Sequence, residues 1–219
     1  MICTASMSVS VLITHDVVLS PAREAEWLGR LPPARRATVS RWPDARARQR
    51  SLLASRLLGE GLRYLGYPAA ALASLRHTER GRPTLDLPIE FSLSHCEGRV
   101  VCALATRGPV GVDVESVGPL RAEAFPLYLN AAERAWAGRS ARRFYSVWTR
   151  KEAVAKAAGT AGLAALPRID TSQHEQGACF EGRLWHTAAV PVGLGYVAHL
   201  ALGEAPDDLV FERLDPAVL

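Results

Sequence analysis

The chain has 219 residues, 48% of them hydrophobic, so it can bury the core of one compact domain or of two small ones. Its net charge of +4 favours anionic partners such as phosphorylated ligands, nucleic acid or an acidic protein. Its four cysteines form no CxxC or CxxH pattern, which argues against a zinc site or a disulfide framework and favours reduced thiols. The opening residues resemble neither a signal peptide nor a membrane span, so we expect a cytoplasmic protein.

The first hundred residues begin with a strand and continue with helices. Alternating Val and Ile residues at positions 9–13 predict a strand that extends to residue 19. Ser20 as the N-cap and Pro21 as the first helical residue predict a helix that ends at residue 31. Asp44 is the predicted N-cap of a longer helix with a leucine stripe. This longer helix covers residues 45–65, and two further helices are predicted at residues 34–41 and 68–77.

Three strands are predicted next, and turns separate them. They cover residues 89–95, 100–105 and 110–115. Gly98 and the Gly108-Pro109 pair mark the turns, and the three strands are therefore expected to form a meander. The next segment, residues 117–139, is predicted to be a loop and a helix with an exposed apolar patch for a partner. A second helix is predicted at residues 141–158, and three strands follow at residues 179–187, 196–202 and 209–214.

Helices followed by three strands thus occur in each half of the chain. Residues 196–202 also weakly resemble residues 100–106. We therefore expect an α+β fold built as a pseudo-twofold duplicated unit, in which each half packs helices on a small, mostly antiparallel sheet. The predicted boundary separates an N-terminal half, residues 1–107, from a C-terminal half, residues 108–219.

Two acidic residues alternate with valines in the third of the central strands. Asp113 and Glu115 point to the same face and lie about 7 Å apart, given a rise of about 3.3 Å per residue. Two carboxylates at this distance can reach one hard cation, and Mg²⁺ prefers carboxylate oxygens together with water and phosphate. A solvated polar strand face has the same pattern, so the pair alone does not establish a metal site.

The helix at residues 141–158 carries an unusual set of charges. Only two of the 26 Lys and Arg residues are lysines, Lys151 and Lys156, and both lie in this helix. Glu152 and Lys156 follow Trp148 at intervals of four residues, so the three share one face. Lys is a compact point charge suited to a phosphate or a leaving oxygen, although an exposed ion pair on a helix is the simpler interpretation.

The motifs together resemble those of the surfactin-synthetase-activating (Sfp) type of 4′-phosphopantetheinyl transferases. The main signature is Val-Gly-Val-Asp-Val-Glu at 110–115, followed by Trp-Thr-Arg-Lys-Glu-Ala-Val-Ala-Lys at 148–156. Gly-Arg-Pro at 81–83 and Phe-Ser-Leu-Ser-His at 91–95 resemble the upstream motif of the family. Arg-Ser-Leu-Leu at 50–53 resembles its phosphate-contacting helix.

The resemblance implies a monomeric enzyme that transfers the phosphopantetheine arm of coenzyme A to a serine of an acidic acyl or peptidyl carrier protein. Nucleic acid and membranes are not expected partners. By similarity, Asp113, Glu115 and Glu152 hold Mg²⁺, with Asp113, Glu152 and Lys156 as the catalytic residues. Glu152 helps to deprotonate the carrier serine, directly or through metal-bound water, and Lys156 stabilises the leaving phosphate. The residues implied to bind coenzyme A are Arg35, Arg50, Arg82, Ser94, His95, Asp113, Lys151 and Lys156.

Several positions depart from the family pattern. Arg35 and Arg82 replace lysines that are frequent in the family, which keeps the charge but changes the geometry. Glu133 is an alternative to Glu152 as the base. Two other functions fit the same residues. One is a metal-dependent nuclease or phosphodiesterase, although the acid-x-Lys strand typical of nucleases is absent; the other is a basic binding module without catalysis.

Overall fold

The computed structural model describes residues 6–78, 82–160, 162–173 and 175–219. Gly81 of the upstream motif lies outside these residues. The predicted α+β class is confirmed, since the described chain contains helices, two four-stranded sheets and one two-stranded sheet. The helices are α1 (Pro21–Arg30), α2 (Pro33–Ser40), α3 (Ala45–Tyr64), α4 (Ala131–Ala137) and α5 (Ala141–Ala157). None of the described helices has the length and apolar character needed to cross a membrane.

The strands follow the predicted order with three differences: the first strand ends at His15 and not at residue 19, two short strands precede the central group, and the single strand predicted at 179–187 is an antiparallel pair that turns at residues 181–182. They are β1 (Ser8–His15), β2 (Arg76–His77), β3 (Pro83–Thr84), β4 (Glu90–Cys96), β5 (Arg99–Ala105), β6 (Val110–Ser116), β7 (Gly177–Phe180), β8 (Arg183–Ala189), β9 (Tyr196–Leu202) and β10 (Asp208–Leu214). The helix predicted at 68–77 is wrong in kind: a 3₁₀ helix at Ala69–Ser74 leads directly into β2, which pairs with β3.

Local capping chemistry explains where the helices begin. The Ser20 hydroxyl accepts a hydrogen bond from the Arg23 amide, and the Asp44 carboxylate accepts one from the Ala47 amide, at 3.3 and 2.6 Å. Ser140 caps α5 in the same way. The predicted caps at Ser20 and Asp44 are therefore confirmed.

The first sheet has the strand order β10-β1-β5-β4, and the second has the order β6-β9-β8-β7. The predicted meander is wrong, because β6 pairs with β9 and not with β5. The turn at Gly108-Pro109 reverses the chain, but it does not determine which strand forms hydrogen bonds with β6. The last strand, β10, pairs in parallel with β1 and so lies in the first sheet. The proposed duplication and the boundary at residues 107/108 stay predictions.

The two sheets share one apolar core. Alternate residues of β1, β5, β6 and β9 form a buried cluster between the sheets, with Val11, Ala103, Val112 and Leu200 fully enclosed. The opposite face of the first sheet packs on α3 through a leucine-rich cluster. The opposite face of the second sheet packs on α5. The polar face of β6 is therefore the face that α5 covers.

Candidate active site

Close contact between α5 and β6 forms the centre of the site. A Cβ atom at Gly111 would lie 2.5 Å from the Ala157 nitrogen and closer still to the Ala153 carbonyl oxygen. Only glycine, which has no Cβ, permits this approach. The helix consequently passes directly over the strand, and Lys156 of α5 reaches Asp113, which lies two residues beyond Gly111.

Lys156 and Asp113 form an ion pair with a distance of 2.6 Å between Nζ and Oδ1. The ammonium also donates to the Val112 carbonyl oxygen at 3.0 Å and to the Ser94 hydroxyl at 3.1 Å. The Asp113 side chain is nearly enclosed, at 7% exposure, whereas that of Lys156 is 31% exposed. Asp113 Oδ2 is buried and has no hydrogen-bond partner among the described residues. The Asp113 carboxylate thus keeps one oxygen, Oδ2, that no described residue contacts by a hydrogen bond.

Glu115 and Glu152 add negative charge to the same cluster. Burial and then the charge of Asp113 raise the pKa of Glu115 to about 7, with Glu152 adding to the effect and Lys156 opposing it. Burial and then Asp113 also raise the pKa of Glu152, again against Lys156. The three carboxylates predicted as metal ligands therefore influence one another electrostatically around one ammonium group.

The side chains of the cluster are not arranged as a metal site. Within the described ranges, no three His, Cys, Asp or Glu side chains are grouped so that they could hold a metal ion. The positive charge beside Asp113 is that of Lys156. Oxygen donors of this kind are nevertheless the type that Mg²⁺ prefers.

A cavity of about 250 Å³ adjoins the cluster. It lies between β4 and the end of α5, and its walls include Arg82, Ser92, Glu152, Lys156 and Thr160. Arg82 is held there by Glu90, with a distance of 2.6 Å between Nη2 and Oε2. This volume is smaller than that of a typical cofactor site, so the cavity has room for only part of a ligand of that size. The structure thus brings together Arg82 and the two predicted catalytic residues of α5.

The other two arginines predicted to bind coenzyme A are Arg35, which lies on α2, and Arg50, which lies on α3. Arg50 is 17% exposed and forms a 3.4 Å ion pair with Asp16. Burial, followed by the positive charges of Arg50, Lys156 and Arg35, lowers the pKa of His95 to about 4. His95 is therefore neutral at pH 7 and can accept or donate a hydrogen bond without adding charge.

Arg35 is held inside the protein. Its guanidinium donates to the Ser55 hydroxyl at 2.9 Å and to the carbonyl and hydroxyl oxygens of Ser51 at 3.2 Å. Burial lowers its pKa to about 10. In this arrangement Arg35 links α2 to α3, and it can contact a phosphate only after a local rearrangement.

Lys151 does not join the site, in contrast to the expectation from the resemblance. Its side chain is fully buried and pairs with Glu133 at 2.7 Å. The ammonium also donates to the backbone oxygens of Tyr128 and Leu166. Because the side chain is 0% exposed, a nucleotide cannot reach it. The physical reason is its position on α5, where it faces the interior between α4 and the 3₁₀ helix at Leu163–Arg168.

Glu133 is equally committed to the fold. Besides the ion pair with Lys151, its carboxylate accepts from the Asn130 amide in a capping box and from the amide and hydroxyl of Thr171. It borders a separate cavity of about 500 Å³, whereas Glu152 lines the cavity that contains Lys156. Glu152 is thus the better placed of the two candidate bases.

Sequence reasoning missed Ser92 and Asp16. Ser92 lines the cavity and accepts a hydrogen bond from the Val112 amide at 3.1 Å. The side chain of Asp16 is 1% exposed and pairs with Arg46 and Arg50. A signal for Ser92 was present, since it precedes Ser94 by two residues and therefore lies on the same strand face. Asp16 follows a strand as an ordinary turn residue, and its pattern gave no such signal.

Comparisons with known proteins point to one family. A family model described as the 4′-phosphopantetheinyl transferase superfamily matches residues 109–194. The 4′-phosphopantetheinyl transferase gsp of Aneurinibacillus migulanus is 30% identical over 125 residues, 54% of this chain and 52% of that protein. The 4′-phosphopantetheinyl transferase AcpT of Escherichia coli (strain K12) is 28% identical over 66% of this chain and 73% of its own length. AcpT of Salmonella typhi is 32% identical over 60% of this chain and 68% of its own length. The match thus spans about half the length of the Aneurinibacillus protein.

Proposed function

Because the chain belongs to the 4′-phosphopantetheinyl transferase superfamily, we propose that it transfers the 4′-phosphopantetheine arm of coenzyme A to a serine of apo acyl or peptidyl carrier proteins. The observation that carries this proposal is the cluster of Asp113, Glu152 and Lys156 beside a cavity that also contains Arg82. The proposed enzyme acts as a monomer in the cytoplasm on acidic carriers. Its positive net charge of +4 suits such partners.

In the proposed reaction, the serine oxygen forms a bond to the phosphorus that carries the pantetheine arm. The pyrophosphate P–O bond breaks, and adenosine 3′,5′-bisphosphate leaves. Glu152 accepts the serine proton, since its side chain lines the same cavity as Lys156. Lys156 neutralises the charge that develops on the leaving phosphate. The side chain of Lys156 is 31% exposed and lines the cavity.

We include Mg²⁺ in the proposal because carboxylate oxygens are the donors that it prefers, although the three carboxylates are not gathered as a metal site in the structure. Asp113, Glu115 and Glu152 offer carboxylate oxygens, and Asp113 Oδ2 has no partner among the described residues. The raised pKa values of the two glutamates reflect burial and then the negative charge of Asp113, and a cation would relieve that repulsion. Mg²⁺ bound there would stabilise negative charge on the pyrophosphate oxygens.

Around this centre, the residues proposed to bind the nucleotide are Arg50, Arg82 and His95. Arg82 lines the cavity. His95 is neutral because burial and then the positive charges of Arg50 and Lys156 lower its pKa. Arg35 belongs to this group only if ligand binding releases it from Ser51 and Ser55. Lys151 is left out of the proposal because its ammonium is enclosed.

The decisive experiment is intact-mass spectrometry of purified apo carrier proteins after incubation with the protein, coenzyme A and Mg²⁺. Transfer adds about 340 Da, the mass of the phosphopantetheine arm. A carrier whose acceptor serine is replaced by alanine and a reaction with chelator are the controls. We expect the gain only with the intact serine and with free Mg²⁺. Folded protein that modifies none of a panel of fatty-acid, polyketide and peptide carriers would contradict the proposal.

A further inference from the structure

The contact between the two sheets has an unusual hydrogen-bonding pattern at the site. β4 is the last strand of the first sheet and β6 is the first strand of the second, so each has one edge without a backbone partner in its own sheet. On its free edge, β6 directs the Val112 and Val114 amides towards β4. The Ser92 hydroxyl accepts from Val112 at 3.1 Å, and the Ser94 hydroxyl accepts from Val114 at 3.3 Å. Two side chains thus satisfy the donors that a strand edge normally exposes.

Ser94 has no capacity left for a ligand. A hydroxyl group has one proton to donate and two lone pairs. Ser94 donates to Asp113 Oδ1 at 3.0 Å, and it accepts from the Val114 amide and from Lys156 Nζ at 3.1 Å. Its whole hydrogen-bonding capacity is therefore spent on the strand, the carboxylate and the ammonium.

We propose that Ser92 and Ser94 are positioning residues that clasp β4 to β6 and fix the carboxylate of Asp113. Side chains two residues apart lie on the same face of β4, about 7 Å apart, which matches the two-residue spacing of the Val112 and Val114 amides. Asp113 lies between these two anchored peptide groups, with Oδ1 held by Ser94 and Lys156. The clasp thereby leaves Oδ2 as the carboxylate oxygen without a hydrogen-bond partner among the described residues. This role deepens the proposed function and rests on it.

The test compares Ser92→Ala and Ser94→Ala with Ser116→Ala, a control at the exposed end of β6. Amide hydrogen exchange, measured by NMR without substrate, reports on the clasp directly. We expect faster exchange at Val112 in the first variant and at Val114 in the second, with neither changed in the control. Removing a hydrogen bond to a charged group should also weaken Mn²⁺ binding about tenfold in Ser94→Ala, measured by electron paramagnetic resonance without coenzyme A.

Kinetics separate positioning from substrate contact. A positioning role predicts that Ser94→Ala lowers kcat about tenfold while KM for coenzyme A changes little, and that Ser94→Thr recovers part of the loss. A raised KM with unchanged kcat and unchanged Mn²⁺ affinity would instead assign Ser94 to the nucleotide, and unchanged exchange at both valines would remove the clasp. If the wild-type protein transfers nothing, the proposed function fails, whereas the exchange data still decide whether the clasp exists.

Discussion

Lys151 and Lys156 lie five residues apart on α5, and their ammonium groups have different surroundings. Lys151 is fully buried against Glu133, whereas Lys156 is partly exposed beside Asp113 and borders the cavity. The same residue type therefore serves the fold at one position and is available for chemistry at the other. Sequence spacing alone places both near the site, because it does not reveal which face of α5 meets α4.

At the proposed catalytic cluster, we predict that Glu152→Gln lowers the rate of transfer about a hundredfold or more, because an amide cannot take up the serine proton as the proposed reaction requires. The fold should persist, since the raised pKa shows that the charged carboxylate is disfavoured where it lies. Transfer rates from the mass assay and thermal unfolding test both statements. Glu97→Gln, at an exposed position, is the matched control. A folded variant with the wild-type rate would remove Glu152 from the mechanism.

Glu115 should make the stability of the metal-free protein depend on pH. Its pKa is raised from 4.5 to about 7, so ionised Glu115 costs stability fully above about pH 7 and not at all below about pH 4.5. Glu115→Gln should therefore be more stable than wild type by about 1 kcal/mol at pH 8, after allowance for solvent screening, and equally stable near pH 4.5. Thermal unfolding in chelator at both pH values measures the difference. An equal gain at both pH values would contradict the assigned effect of burial and of the Asp113 charge.

The buried pair of Lys151 and Glu133 provides a stability test. Lys151→Met leaves the Glu133 carboxylate enclosed without its counter-charge, so we expect a loss of about 3–5 kcal/mol in the free energy of unfolding. Adding Glu133→Gln to that variant should restore part of the loss, because no buried charge then remains. Urea unfolding measures both. A single variant as stable as wild type would show that the pair contributes little to the fold.

Among the secondary-structure elements, the contact of α5 with β6 depends on one glycine. Gly111→Ala would force the new methyl group against the backbone of Ala153 and Ala157, and backbone atoms cannot rotate away as a side chain can. We expect a loss of about 3 kcal/mol or more and a displaced Lys156.

The control for this prediction is Gly59→Ala in α3, where an added methyl group meets nothing within 4 Å. That change should stabilise the protein by about 0.5–1 kcal/mol, since alanine is the better helix former. Thermal unfolding of the two variants and their transfer rates provide the comparison. Equal effects of the two substitutions would contradict the packing described for Gly111.

The elements that sequence patterns predicted well have local causes. The bounds of α5 follow from helix propensity and from a glycine after its end, and the cap at Asp44 needs only the adjacent backbone. The pairing of β6 with β9 could not be predicted, because an apolar strand satisfies several partners equally well and the choice depends on the whole core. The burial of Lys151 was missed for the same reason, since it depends on where α4 lies.

At the scale of the whole molecule, contacts between the two halves bear on the proposed division at residues 107/108. β10 belongs to the second half of the chain but pairs in parallel with β1 of the first, from Ser8↔Asp208 to Thr14↔Leu214. The apolar cluster between the sheets also draws residues from both halves. A half separated from the other would therefore expose the edge of β1 and one face of the shared core to water.

We accordingly predict that a fragment of residues 1–107 does not fold alone, and that it folds when mixed with residues 108–219. Circular dichroism melts and amide exchange of each fragment, then of the equimolar mixture, test this. The isolated fragment should show no cooperative transition, and the mixture should regain protection along β1. A cooperative melt of residues 1–107 alone would mean that α3 and the pairs β1-β5 and β5-β4 suffice for the first half, and that the halves are independent folding units despite their shared sheet.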